Sequence, residues 1–236
     1  MNTTDFRIVV LDCPYNTWAN KDTQELFSAI VGLKLKGYLP VYEHGVMPVD
    51  SYDFIATHLL VCVKEQEHLR PVTGFKSVTV SACERFNLPF PTNAVLANTR
   101  PGQHREAVHQ IMDRCRESGK ELCFDSSWTV DPEFRKHREL HLLLQELFIS
   151  NVIQWHRPER AHEVLGTGIL RVRTNRFFER VGFHPVELDG EPLPPFEQPS
   201  LQGSSAVLIH LQESSSFARG MAEKHQQLWE NRITIN

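Results

Sequence analysis

The chain lacks most of the marks that assign a function at sight. Its five cysteines, Cys13, Cys62, Cys83, Cys115 and Cys123, form no C-x-x-C pair, so neither a zinc framework nor a disulfide scaffold is signalled. No apolar run approaches the roughly 18 residues of a membrane-spanning helix, and residues 1–6 are polar where a secretory leader would be basic and then apolar. Lys and Arg number 25 against 29 Asp and Glu, so the basic excess of a general nucleic-acid binder is missing. Internal repeats and low-complexity tracts are missing too. A soluble, cytoplasmic protein is expected, with no membrane span, no nucleic-acid partner and no metal. At 236 residues and 41% hydrophobic content it can bury a substantial core, with most cysteines serving as small apolar residues.

What is present is a series of short periodic segments. Residues 6–11 read as a buried strand and 25–36 as a helix with Leu26, Ile30 and Leu33 inward. A loop over 37–51 leads to a strand at 55–63, and 72–80 is its expected hairpin partner across the polar segment 64–71. Residues 83–99, broken by Pro89 and Pro91, show no clear period. Residues 105–117 form a helix with Val108, Ile111, Met112 and Cys115 as its stripe, stopped by Gly119. A strand at 121–130 follows, then a leucine helix reaching about residue 152. Beyond it come a strand at 161–169, a helix at 171–180 and a strand at 183–188. A proline-rich loop over 188–202 precedes a strand at 206–211 and a helix at 217–229 with Phe217, Met221, Leu228 and Trp229 inward. One mixed α/β domain across 1–236 is the economical reading.

The charge at the start of the leucine helix is the feature that asks for chemistry. Leu140, Leu143, Leu144, Leu147 and Phe148 share one helical face, and Arg135, Lys136, His137 and Arg138 stand directly before them. A helix N-terminus carries partial positive charge and unpaired N–H groups, so cations there are unfavourable unless an anion such as phosphate lies against them. Two plainer accounts stand beside this one. The run could be a solvated charged turn, and Asp131-Pro132 could be an N-cap and first-turn proline. His137 and His141 flank Glu139 without the H-E-x-x-H order of a zinc helix, which makes them a surface pair. His210, inside an apolar strand, reads as a satisfied core histidine.

The segment Arg171 to Phe183, RVRTNRFFERVGF, resembles the helix and strand that close the core of the GCN5-related N-acetyltransferase superfamily, with Arg173, Phe177, Gly182 and Phe183 matching and Phe178 at the tyrosine position. Upstream, Val130-Asp131-Pro132-Glu133-Phe134-Arg135 is similar to the V-x-P-x-x-R that opens the superfamily's pyrophosphate loop. The likeness covers 121–188. Where most members continue R-x-x-G-x-G, this chain has Arg138 and Leu140. That loss, with Tyr52-Asp53 and the segment 51–80, resembles the branch of acyl-homoserine lactone synthases and long-chain N-acyl amino acid synthases. That branch's acid-x-Ser-Arg pattern has only Phe124-Asp125-Ser126-Ser127 as its nearest match, out of register.

The resemblance implies a central mixed, mostly antiparallel twisted sheet flanked by helices. It also implies transfer of an acyl group from acyl-CoA, or from the acylated phosphopantetheine of an acyl carrier protein, to a small amine acceptor. Asp125 and Glu121 become the candidate bases. Trp128, Thr129 and Val130 become the edge that pairs with pantetheine amides, and Arg135, Lys136, His137, Arg138, Glu139 and Leu140 the diphosphate cradle. Phe177 and Phe178 would flank the pantetheine arm, although core packing accounts for such phenylalanines equally well. Asp125 could instead be a buried acid satisfied by its neighbours. The competing class is a catalytically inactive module of this fold that binds a ligand or a protein, which Phe178 and the missing glycines favour.

Overall fold

The computed structural model describes residues 5–42, 46–65, 68–96, 102–160 and 162–236. The chain divides into two compact units. Unit 1 contains Met1–Ser77, Ser127–Gln154 and Gly220–Asn236, and unit 2 contains Val78–Ser126 and Trp155–Arg219.

Unit 1 starts with β1 (Phe6–Asp12) and α1 (Lys21–Tyr38). The helix is longer than its apolar period indicates because Asn20 caps it, the side-chain oxygen accepting the Asp22 N–H at 2.9 Å. Leu26, Phe27 and Ile30 pack on Val9, Leu11, Leu60 and Cys62; each large apolar side chain fully buried contributes about 1.5–3 kcal/mol, and this face holds the helix to the sheet. A short helix, α2 (Tyr52–Ile55), takes up the first residue of the strand expected at 55–63. The hairpin follows as β2 (Thr57–Glu65) and β3 (His68–Thr79), so most of the polar stretch expected to be loop is strand. β2 pairs antiparallel with β1 from Phe6↔Val63 to Asp12↔Thr57.

Unit 2 takes over with α3 (Val80–Arg85) and α4 (Pro91–Val95), short helices where the sequence showed no period. Pro91 sits in the first turn of α4, where its missing N–H costs nothing; residues 97–99 lie outside the described residues. α5 (Gln103–Glu117) buries Ala107, Val108, Ile111 and Cys115, leaves Met112 half-buried, and ends before Gly119, whose φ of 66° suits a helix stop. β4 (Glu121–Val130) has the expected bounds. It holds one irregularity, Ser127 at φ 62°, a left-handed value uncommon for a non-glycine residue.

The chain continues in unit 1 as α6 (Pro132–Arg135) and α7 (Arg138–Trp155). Leu144, Leu147, Phe148, Ile149 and Val152 are buried, whereas Leu140 and Leu143, expected on the same inner face, are half-buried. In unit 2, β5 (His162–Ile169) pairs in parallel with β4 from Glu121↔His162 to Asp125↔Gly166. The expected helix over 171–180 is α8 (Thr174–Val181), because Arg173 takes a left-handed cap at φ 56° and leaves 171–173 as a turn. Gly182 follows at φ 118°, and a Cβ there would lie 2.6 Å from the Glu213 carbonyl oxygen, so no other residue fits.

The expected strand at 183–188 is two pieces, β6 (His184–Pro185) and β7 (Glu187–Leu188). The proline-rich loop contains β8 (Glu191–Pro192), paired with β7, and β9 (Phe196–Gln198), paired with β10 (Ser204–Leu211); these short pairings tolerate proline as a central strand would not. The expected closing helix splits at His225 into α9 (Ser216–Lys224) and α10 (Gln226–Glu230). Phe217, expected inward, is 37% exposed with the Arg180 guanidinium 4.6 Å from its ring centre. The last strand, β11 (Ile233–Ile235), adds in parallel to β1.

Within unit 1 the strand order is β11-β1-β2-β3, followed by the end of β4; within unit 2 it is the start of β4, then β5-β10-β6. The architecture is mixed α/β, a mostly antiparallel sheet flanked by helices. No described helix is long and apolar enough to cross a membrane.

Candidate functional site

In unit 1 the end of β4 and the two helices after it form an elbow. The Asp131 side chain caps α6 by accepting the Glu133 N–H at 3.0 Å, and its other oxygen accepts Arg70 Nη1 at 2.7 Å. The Arg70 guanidinium lies 5.6 Å from the Phe134 ring centre. Asp131-Pro132 is therefore an N-cap and first-turn proline, and it caps a separate short helix. The leucine helix begins afresh at Arg138, so its first-turn amides remain at the end of the charged run. Lys136, His137, Arg138 and Glu139 are exposed, and neither Lys136 nor Arg138 has an ion pair among the described residues. Arg135 is half-buried, and its guanidinium pKa is lowered by burial. His141, one turn into α7, is likewise held below its ordinary pKa by burial and by the Arg135 charge.

Backbone direction sorts the three strand residues assigned to the donor. The Thr129 carbonyl accepts Thr73 Oγ1 at 2.7 Å, and the Asp131 N–H reaches the Val72 carbonyl at 2.8 Å. Both face β3. Because successive residues of a strand present their backbone groups to opposite edges, Trp128 and Val130 face the other way. Of the expected trio, Thr129 thus turns its backbone inward. A Cβ at Gly37 would collide with Thr129 Oγ1, so α1 approaches this point only because glycine stands there. The Trp128 ring stacks on Phe148 with centroids 4.5 Å apart, and Phe148 packs edge-on against Phe75 at 5.2 Å.

Unit 1 also buries an ion cluster that no sequence pattern announced. Asp53 accepts from Lys34 at one oxygen and, at the other, from Lys76 Nζ and the Asp50 N–H, both at 2.9 Å. Burial alone would raise the Asp53 pKa; Lys76 and Lys34 outweigh it and hold the carboxyl well below its usual range. His58 Nε2 contacts the Asp53 carbonyl at 2.7 Å, and burial together with the lysine charge lowers its pKa to about 4.

In unit 2 the two candidate bases part company. Glu121 Oε1 accepts the Ser81 N–H at the start of α3. Asp125 Oδ2 lies 2.9 Å from His156 Nε2, whose Nδ1 lies 3.0 Å from His162 Nδ1. Asp125 Oδ1 is buried with no partner among the described residues. Burial and the neighbouring His156 and Arg160 charges lower the His162 pKa to about 4. Neither histidine was singled out in the sequence, because they lie on either side of a proline turn with no motif spacing. Phe177 and Phe178 are half-buried on α8, in ring contact with each other at 5.6 Å, and Phe178 contacts Phe183 at 5.3 Å. His210 is the satisfied core histidine expected: it bonds Glu163 at 2.9 Å, and Glu163 also accepts Arg114 at 3.0 Å and Lys120 at 2.9 Å.

No protein-family model matches the sequence, and no curated protein matches it. Solved structures do. The fold is similar to that of FeeM, an N-acyl amino acid synthase from uncultured soil microbes, with a TM-score of 0.54 at 11% identity over 94% of this chain and 97% of that one. The fold is thus like that of the GCN5-related N-acetyltransferases. The CoA-dependent acyl-homoserine lactone synthase BjaI, solved with SAM and isopentyl-CoA, gives 0.53 at 14% identity over 98% of this chain and 92% of its own. A second synthase of that description, MesI, gives 0.51 at 10% identity over 94% and 95%. The fold likeness thus includes the acyl-homoserine lactone and N-acyl amino acid synthase branch.

Proposed function

We propose that this protein is an N-acyltransferase that takes an acyl group from a thioester of CoA, or of a carrier protein's phosphopantetheine, and delivers it to a small amine. The observation that carries the reading is the restart of the helix at Arg138. First-turn amides and cations, both without a partner among the described residues, stand together there, in a fold whose solved examples include CoA-dependent synthases. The diphosphate, or the phosphate of the carrier's arm, lies against Arg135 to Leu140. The pantetheine amides pair with Trp128 and Val130, the residues whose backbone faces away from β3.

The amine nitrogen attacks the thioester carbonyl, its N–C bond forms, and the C–S bond breaks. Asp125 takes the amine proton at its unpartnered Oδ1 while His156 holds Oδ2. The thiolate leaves and is protonated by solvent, because Phe178 brings no hydroxyl to the position where the superfamily often has one. Positioning of donor and amine contributes the larger share of the rate.

A thermal-shift titration with acetyl-CoA, palmitoyl-CoA and acylated carrier protein tests the donor site against Arg135→Ala/Arg138→Ala. The expected result is stabilisation by one donor that rises with its concentration and is lost in the double variant. No stabilisation by any thioester overturns the assignment. Stabilisation without acyl transfer to any amine in a panel favours the inactive, ligand-binding module, the reading to which Phe178 points.

A further inference from the structure

Three side chains in unit 2 converge on one point, and the acyl-transfer reading uses only His156 among them, at its other nitrogen. Cys123, His156 and His162 each present a ligand atom, and these atoms lie within 4.8 Å of one another. The strand register explains the convergence. Cys123 and Asp125 share a face of β4 by the period of two, and His162 opens β5 opposite Glu121 on that same face. His156 comes directly after the last residue of α7 in the chain.

We propose that Cys123 Sγ, His156 Nδ1 and His162 Nδ1 form a binding site for a divalent transition-metal ion, zinc by the chemistry of its donors. A thiolate with two imidazoles is a borderline-soft set that suits zinc, and three protein ligands leave a fourth position open. Half-buried His162 leaves that position a route to solvent. Asp125 completes the arrangement: its bond to His156 Nε2 at 2.9 Å directs the Nδ1 lone pair at the site, as carboxylates do behind metal-bound histidines. Charge closes as well, since a dication beside the Cys123 thiolate and the Asp125 carboxylate is neutral in a largely buried place. Binding forms one metal–sulfur and two metal–nitrogen bonds, sends the Cys123 proton to solvent, and moves the proton between the two Nδ1 atoms to His162 Nε2.

Metal binding here stands whether or not the chain transfers acyl groups, and its test does not read activity. The full chain, stripped with chelator, is titrated with Co2+ and then Zn2+ alongside His162→Gln, Cys123→Ser and Asp125→Asn. Wild type is expected to take up one Co2+ with a thiolate-to-cobalt charge-transfer band in the near ultraviolet, which Zn2+ abolishes. Asp125→Asn is expected to weaken affinity about 10–100-fold, and His162→Gln to weaken it at least as much. Absence of saturable uptake or of the thiolate band in wild type overturns the site, leaving a histidine pair joined by a proton. Undiminished uptake in His162→Gln overturns it equally. Because the wild-type spectrum decides by itself, the outcome survives failure of Cys123→Ser to fold.

Discussion

In unit 1, Asp53 lies between Lys34 and Lys76 with both carboxylate oxygens engaged; in unit 2, Asp125 has one oxygen on His156 and the other on no described group. Both acids are nearly buried, with side-chain exposures of 2% and 11%. The first cluster is closed: the lysines are 5% and 4% exposed, Lys76 bonds Asp50 at 2.6 Å, and His58 bonds the Asp53 carbonyl. Such a cluster contributes by not being broken, since removal of one partner strands the others in a poor solvent. The second is unfinished, with Asp125 Oδ1 buried and on no described group. Buried polar groups are ordinarily satisfied, so an open cluster marks a place for something to bind or react.

The largest expected effect follows from breaking the closed cluster. Asp53→Asn leaves the buried Lys34 ammonium without its charge partner and Lys76 with Asp50 alone, and is expected to cost about 3–5 kcal/mol of stability, read as a lowered midpoint in urea unfolding. A shift within experimental error would mean that the lysines reach water and that the two clusters do not differ in kind.

Acid titration sharpens the comparison at smaller amplitude. His58 has a folded pKa of about 4 against an ordinary 6.5, so it is neutral when folded and takes up a proton more readily when unfolded. Its contribution to stability is complete above pH 6.5 and is lost as the pH falls toward 4. His162 and His210, also near 4, share the window in unit 2. Urea midpoints measured above and below pH 6.5 are expected to decline on the acid side, with a shallower decline in His58→Gln. An unchanged slope in that variant would remove His58 from the account.

Much of the fold was legible because hydrophobic periodicity sets it. β1, β4 and β10 fell where alternation or apolar runs placed them, and Gly119 and Gly182 stopped helices as their conformations require. The misses have local causes. Tertiary pairing makes strands of Phe196–Gln198 and Ile233–Ile235, which carry too few residues for a period to show. The charged run at 135–138 was visible because its residues are consecutive, but the separate helix at 132–135 was not, since a cap and a helix restart leave similar residues behind. The two ion clusters were illegible for a different reason: Lys34, Asp53 and Lys76, like Cys123, His156 and His162, meet only through strand register and helix docking.

The smallest expected effect on stability is the most telling for unit 2. Asp125→Asn keeps the shape of the side chain and keeps an oxygen for the His156 N–H, while the position of Oδ1, already without a partner, loses nothing it had. Where Asp53→Asn strands the Lys34 cation, Asp125→Asn strands none, and the metal-free protein is expected to lose no more than about 1 kcal/mol, the usual net worth of a single hydrogen bond. The same substitution removes the proposed base and the negative charge behind His156, so acyl transfer and metal affinity should fall while the urea midpoint barely moves. A destabilisation as large as that of Asp53→Asn would show Asp125 to be a structural acid, and the contrast between a closed and an open cluster would then fail.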